Sequence, residues 1–146
     1  MPKWIGRVCA GVMVTTSLSF AQPVVGQQND IDVCFKGSGQ EAIAACTRRI
    51  TQAKGNNLAI VYHSRGYEYL QLRQFDKAIA DFTQSIRVNP SYLDPYVNRC
   101  LSYRGSGDFA KAAADANSAL RLDPKDDDAQ LCLKRAQEKI PYPTPK

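Results

Sequence analysis

Two consecutive stretches of equal length decide the fold: AIVYHSRGYEYLQLRQFDKAIADFTQSIRVNPSY over residues 59–92 and LDPYVNRCLSYRGSGDFAKAAADANSALRLDPKD over residues 93–126. Between these two stretches, which lie 34 residues apart, ten positions are identical. The identical pairs are Tyr62/Tyr96, Arg65/Arg99, Tyr69/Tyr103, Phe75/Phe109, Lys77/Lys111, Ala78/Ala112, Ala80/Ala114, Asp81/Asp115, Arg87/Arg121 and Pro90/Pro124. A fixed period of this size indicates stacked helical or strand units, each of which buries its apolar face against a neighbour. The repeat therefore predicts a solenoid that offers a binding surface.

Each unit predicts two helices. Apolar residues recur at three-to-four spacing, and each unit closes on a proline that cannot continue a helix. The predicted helices cover residues 40–53, 58–72, 76–87, 94–104, 108–121 and 126–139. Residues 22–39 are predicted to be a partly disordered lead-in, and residues 141–146 an extended proline-rich tail.

Residues 1–21 are typical of an export signal. Lys3 and Arg7 precede a mostly apolar stretch over residues 8–20, which is shorter than a membrane-spanning helix requires. Ser19 and Ala21 supply the small residues of a cleavage site. Cleavage after Gly26 and an uncleaved N-terminal anchor are the alternatives. After cleavage we expect no stable membrane insertion.

Composition excludes several function classes. The chain carries 19 basic and 14 acidic residues, and loss of Lys3 and Arg7 with the signal lowers the net charge from +5 to +3. This mild, interspersed charge predicts no nucleic-acid partner. The only histidine is His63, and the sequence has no phosphate loop, nucleophile elbow or metalloprotease motif. We therefore predict no enzyme activity, no catalytic residues, no metal site and no cofactor.

Four cysteines remain once Cys9 is removed with the signal. In a stack, each unit touches only its neighbours, which favours the disulfides Cys34–Cys46 and Cys100–Cys132. The alternative for Cys100 and Cys132 is a pair of buried free thiols. A thiol-dependent enzyme would need one of these cysteines to be free and reactive.

The spacing of aromatic residues, small residues and prolines in the two units resembles the tetratricopeptide repeat. The matching residues are Tyr62, Gly66, Tyr69, Ala78, Phe82, Ser85 and Pro90 in the first unit, and Tyr96, Cys100, Tyr103, Gly107, Ala112, Ala119 and Pro124 in the second. The pattern is similar to repeats of exported bacterial proteins. The resemblance implies an all-α, right-handed solenoid over residues 40–140. It would contain a half repeat (40–58), two full repeats (59–92 and 93–126) and a capping helix (127–140).

The second unit departs from the family pattern at two positions. Cys100 replaces the small glycine that Gly66 supplies in the first unit, and Ala116 replaces the aromatic residue at Phe82. Arginine also stands at positions 65 and 99, where leucine is usual in the family. Because Asp81 and Asp115 share the 34-residue spacing with these arginines, we predict an Arg–carboxylate pair in each unit.

The resemblance also implies a partner site on the concave face, which the first helix of each repeat lines in this family. The corresponding residues are Ile60, His63, Tyr67, Leu70, Val97, Asn98, Leu101, Arg104, Leu131 and Arg135. Their mixture of apolar and basic side chains suits a peptide that carries acidic groups. The alternatives are a solvated face and a face covered by the N-terminal segment.

We therefore expect a scaffold or adaptor that binds a protein or peptide partner, located in the periplasm of a Gram-negative bacterium or secreted. A structural subunit of a homo- or hetero-oligomeric envelope complex is the alternative. The carboxylate clamp of heat-shock co-chaperones in this family is not expected. Asn98 matches one clamp position, but His63, Tyr67, Asp128 and Cys132 occupy the others.

Overall fold

The computed structural model describes residues 25–142, and the regular structure in this range is helical. The predicted export signal and residues 143–146 of the predicted tail lie outside the described residues. The seven helices of the described range are α1 (Val25–Lys36), α2 (Gly39–Ile50), α3 (Gly55–Gln71), α4 (Phe75–Val88), α5 (Asp94–Ser106), α6 (Phe109–Leu122) and α7 (Asp127–Gln137). None of them combines the length and apolarity that a membrane span needs.

The helices form two layers. Each helix packs against its neighbours in the chain, while α3 also contacts α1 and α5, and α5 also contacts α7. The alternate helices α1, α3, α5 and α7 therefore make one continuous inner layer. Helices α2, α4 and α6 cover its outer side, as expected for a solenoid of helical hairpins. The predicted all-helical solenoid is confirmed.

The prediction of an irregular lead-in over residues 22–39 is wrong for residues 25–36, which form α1. Intrinsic propensity does not explain this helix, because its sequence is polar and only weakly amphipathic. Contacts with α2 stabilise it instead: Cys34 is buried and bonded to Cys46, and Arg48 makes two hydrogen bonds to the Asp30 carboxylate at 2.9 and 2.5 Å. The predicted half repeat is thus the second helix of a complete hairpin.

The predicted Arg–carboxylate pairs are confirmed in both repeats. Arg65 donates two hydrogen bonds to Asp81 at 2.7 and 2.8 Å, and Arg99 donates two to Asp115 at 2.7 Å each. Each arginine also donates to a threonine of the preceding hairpin at 2.9 Å, Thr47 or Thr83. One guanidinium therefore joins three successive helices, which explains why the pair recurs with the repeat.

The two departures of the second repeat compensate each other. In the first repeat, a Cβ atom on Gly66 would lie only 2.8 Å from the ring of Phe82, which is fully buried. In the second repeat, Ala116 replaces that ring and leaves room for the Cys100 side chain. Cys100 then reaches Cys132 of α7, and the structure pairs the cysteines as the sequence favours, with Cα atoms 4.8 Å apart for Cys34–Cys46 and 6.5 Å for Cys100–Cys132.

Replacing Gly66 by alanine is expected to lower the free energy of unfolding by roughly 1–3 kcal/mol, because the new methyl group must displace the Phe82 ring in a close-packed core. In a chain that already carries Phe82→Leu, the same substitution should cost less, since the shorter side chain vacates the space. Urea unfolding of both variants measures the effect. If Gly66→Ala is as stable as wild type, the higher helix propensity of alanine, worth about 1 kcal/mol, offsets the clash with Phe82.

Candidate functional site: the concave face

The N-terminal half of the inner layer presents an open apolar surface. Phe35 of α1 and Ile60 and Tyr67 of α3 are exposed to 46, 39 and 43%. Two adjoining pockets of about 290 and 250 Å³ meet at Phe35. We call Phe35, Ile60 and Tyr67 the open groove.

A polar group stands beside this apolar surface. Arg49, from the end of α2, lines the larger pocket together with Asn57. Its Nη1 atom donates to Gln52 at 2.9 Å, whereas its Nε atom is buried without a hydrogen-bond partner in the described part of the chain. Arg49 therefore puts a positive charge at this pocket, where a ligand with an acidic group would bind favourably.

His63 of α3 lies on the same face, and both of its ring nitrogens already have hydrogen-bond partners within the chain. The Asn98 amide nitrogen lies 2.8 Å from Nε2, and the Tyr92 hydroxyl lies 3.1 Å from Nδ1. Because an amide nitrogen donates, Nε2 accepts and Nδ1 carries the proton of the neutral ring. Burial lowers the pKa of His63, and the charge of Asp94 partly opposes this. Burial also raises the pKa of Tyr92 to about 12, with Asp94 contributing in the same direction.

Stability should therefore depend on the protonation of His63. Below about pH 6.5, the unfolded chain binds a proton that the folded chain takes up only at lower pH. The free energy of unfolding is expected to fall as the pH drops through this window. His63→Gln keeps an acceptor for Asn98 but does not titrate. The free energy of unfolding of this variant should therefore change less between pH 7.5 and 5.5 than that of wild type. Urea unfolding at these two pH values checks this; equal changes for the two chains would contradict it.

Two residues predicted for partner contact are placed in the core instead. Leu70 is buried against Ala78 and Phe82. Arg104 is only 1% exposed, because its guanidinium donates to the backbone carbonyls of Ile140 and Pro141. The family resemblance implied an open surface for both side chains, whereas Leu70 packs against α4 with Tyr142 beside that cluster, and the chain after α7 covers Arg104.

The other predicted residues of the C-terminal half differ in exposure. Val97 is buried against Ala119 and Ala129, and Leu101 is half-buried between two core clusters. Leu131 and Arg135 of α7 border a small pocket of about 140 Å³, with Leu131 exposed to 44%. The structure thus divides the predicted site into an open groove at one end and a mostly closed half at the other.

Phe35 is the main groove residue that sequence reasoning missed. It lies outside the 34-residue repeat, in the segment predicted to be irregular. The signal that could have found it is the pair Cys34 and Cys46, because a disulfide into α2 brings residue 35 beside the first full repeat.

Comparisons with known proteins agree with this architecture. Residues 59–92 match the family model of the tetratricopeptide repeat. A solved structure, the first tetratricopeptide domain of Spaghetti (RPAP3) bound to the HSP90 peptide SRMEEVD, superposes with a TM-score of 0.69 at 22% identity, covering 80% of this chain and 91% of that one. The fold is a tetratricopeptide-repeat solenoid.

Two further comparisons show how far the likeness extends. The second tetratricopeptide domain of human RPAP3 in complex with the HSP70 peptide SGPTIEEVD gives a TM-score of 0.67 at 23% identity, covering 78% of this chain and 94% of that one. Mouse serine/threonine-protein phosphatase 5 is 30% identical over 128 residues, covering 84% of this chain. This chain spans only 25% of the phosphatase, so the likeness carries over no enzyme activity.

Proposed function

We propose that this tetratricopeptide domain is a protein-interaction module whose open groove binds a peptide segment of a partner protein. The observation that carries the proposal is the row of three exposed large apolar side chains, Phe35, Ile60 and Tyr67. Contiguous exposed apolar surface beside a few polar groups is typical of peptide-binding sites. The peptide complexes of the RPAP3 domains support a peptide as the type of ligand.

The chemistry of the groove favours a partner segment with apolar side chains and one acidic group. The apolar side chains would cover Phe35, Ile60 and Tyr67. The acidic group would pair with the guanidinium of Arg49, which lines the larger pocket. Hydrogen bonds between ionised groups are about twice as strong as neutral ones, so this contact would also fix the direction of the peptide.

We further propose that the domain works in an oxidising compartment, the periplasm or the extracellular space, as in exported bacterial proteins of this type. The two cysteine pairs support this, because disulfides persist in oxidising compartments and are rare in the cytosol. Mass spectrometry of protein isolated from its source with free thiols blocked would test it. Reduced cysteines, or an unprocessed N-terminus, would contradict the proposal.

A structural subunit is the second candidate, since the same apolar groove could be covered by another subunit in an oligomer. Light scattering distinguishes the two. The adaptor predicts a monomer in which the groove is free, whereas the structural subunit predicts a stable oligomer that dissociates when Tyr67 is replaced by serine.

The partner site is tested by co-purification from the native source with matched variants. Ile60→Ser/Tyr67→Ser removes two groove side chains, while Leu122→Ser removes a side chain equally exposed, at 43%, at the end of the outer helix α6. The proposal predicts that one partner is lost only from the groove variant. A partner retained by the groove variant, or lost equally from both, would place binding elsewhere.

A further inference from the structure

The chain after α7 folds back across the closed half of the concave face. Lys139 has a left-handed backbone (φ 53°), and the amides of Lys139 and Ile140 donate to the carbonyls of Ala136 and Arg135 at 3.1 and 2.8 Å. This arrangement is a Schellman motif, which reverses the direction of the chain. We call residues 140–142, which follow the reversal, the C-terminal strap.

Arg104 holds the strap by its backbone. Its Nε atom donates to the Ile140 carbonyl at 3.0 Å, and its Nη2 atom donates to the Pro141 carbonyl at 3.1 Å. Unlike Arg65 and Arg99, Arg104 has carbonyl groups rather than a carboxylate as its hydrogen-bond partners in the described chain, and Arg135 lies nearby with the same charge. The buried positive charge is therefore solvated by the strap but not neutralised by it.

Tyr142 anchors the end of the strap in an apolar pocket. Its ring packs against the cluster of Leu70, Ala78 and Phe82, and meets the Phe75 ring edge-on with centroids 6.5 Å apart. The pocket belongs to α3 and α4, so the strap links the capping helix to a repeat that is not its neighbour. Contacts in a solenoid are otherwise made between adjacent units.

We propose that Arg104 and the Tyr142 pocket form a second peptide site, which binds an extended partner segment carrying an aromatic residue next to a carboxylate, and which the strap occupies when that partner is absent. The strap shows which chemistry fits: successive backbone carbonyls on the guanidinium, then an aromatic ring one residue further on. A partner carboxylate would bind Arg104 more strongly than the strap carbonyls do, because a charged acceptor strengthens the hydrogen bond. The stronger hydrogen bond lets a partner segment compete with the strap, although the strap has the advantage of being part of the same chain.

The site is independent of the open groove, which lies at the other end of the face. Its position nevertheless extends the same inner layer, since Leu101 packs against both the Tyr142 cluster and the cluster around Cys100. Loss of the open-groove partner in a Tyr67 variant would leave this proposal untouched, and the reverse also holds.

A labelled nonapeptide with the sequence of residues 138–146, EKIPYPTPK, serves as the probe for the vacated site. We expect full-length Tyr142→Ala to bind it at least about tenfold more tightly than wild type, because the tethered strap no longer competes. The matched control Leu122→Ala should bind it like wild type. Replacing the tyrosine of the probe by alanine should abolish binding, and replacing its first proline by aspartate should tighten it several-fold.

A measurement on the wild-type chain does not depend on the folding of any variant. Excess aspartate-containing probe should shift the NMR signals of the Tyr142 ring to the positions of an exposed tyrosine. Equal affinity of wild type and Tyr142→Ala, an unmoved Tyr142 signal at saturating probe, or indifference to the probe's tyrosine or aspartate would overturn the proposal. If light scattering shows a dimer in which two copies exchange their straps, the site binds a second copy of this chain, and the proposal of a different partner is overturned.

Discussion

Replacing Arg99 by methionine is expected to lower the free energy of unfolding by about 3–5 kcal/mol, because it leaves the carboxylate of Asp115 buried without its bidentate partner. Methionine keeps an unbranched apolar side chain but removes the guanidinium, whose central carbon lies 6.0 Å from the centroid of the Tyr103 ring, so the variant tests mainly the charge. The hydrogen bond to Thr83 is lost at the same time. Urea unfolding of wild type and variant at neutral pH measures the difference.

The double variant Arg99→Met/Asp115→Leu is the control. Replacing both members of a buried ion pair by apolar residues of similar size is often nearly neutral, so most of the lost stability should return. Burial already raises the pKa of Asp115 in the intact pair, which shows how costly its charge is at this position. A single variant that loses less than about 1 kcal/mol would mean that the pair contributes no more than an exposed salt bridge.

Removing the disulfide with Cys100→Ala/Cys132→Ala is expected to cost about 3.7 kcal/mol, since the bond closes a 32-residue loop in the unfolded chain. Removing Cys34–Cys46, whose cysteines are 12 residues apart, should cost less, about 2.8 kcal/mol. Unfolding of each variant under oxidising conditions gives both values.

The control for the disulfide prediction is wild type unfolded with and without a reducing agent. Reduction should destabilise wild type by about as much as the two pairs of substitutions combined, and it should leave the four-alanine chain unchanged. If reduction destabilises wild type no more than it destabilises the Cys100→Ala/Cys132→Ala chain, Cys100 and Cys132 are buried free thiols, as the alternative from sequence holds.

Sequence predicted the parts of the fold that the repeat specifies. The period of 34 residues placed α3 to α6 within a few residues of their ends, and the recurrence of Arg65 and Asp81 predicted a contact that both repeats make. These features are visible because each depends on residues one repeat apart. Helix α1 carries none of the ten identities that define the repeat, and its contacts with α2 stabilise a sequence of weak intrinsic preference.

The candidate site was predicted less well, because exposure depends on what else covers the face. Periodicity assigned Leu70 and Arg104 to the first helices correctly, but it could not show that α4 buries Leu70 or that the strap covers Arg104. Three consecutive residues, Ile140 to Tyr142, cover this part of the face, and their sequence carries no pattern that distinguishes a docked segment from a free tail. Phe35 was missed for the related reason that it lies on α1.

The open groove is expected to contact a partner, whereas the outer face is not. Site-specific photocrosslinking in the native source tests this directly, with a photoreactive phenylalanine derivative placed at Tyr67, at Ile60 or at Leu122. We predict one crosslinked product of the same mass from Tyr67 and Ile60 and none from Leu122. Products from Leu122 alone, or from all three positions equally, would contradict the assignment of the concave face as the binding site.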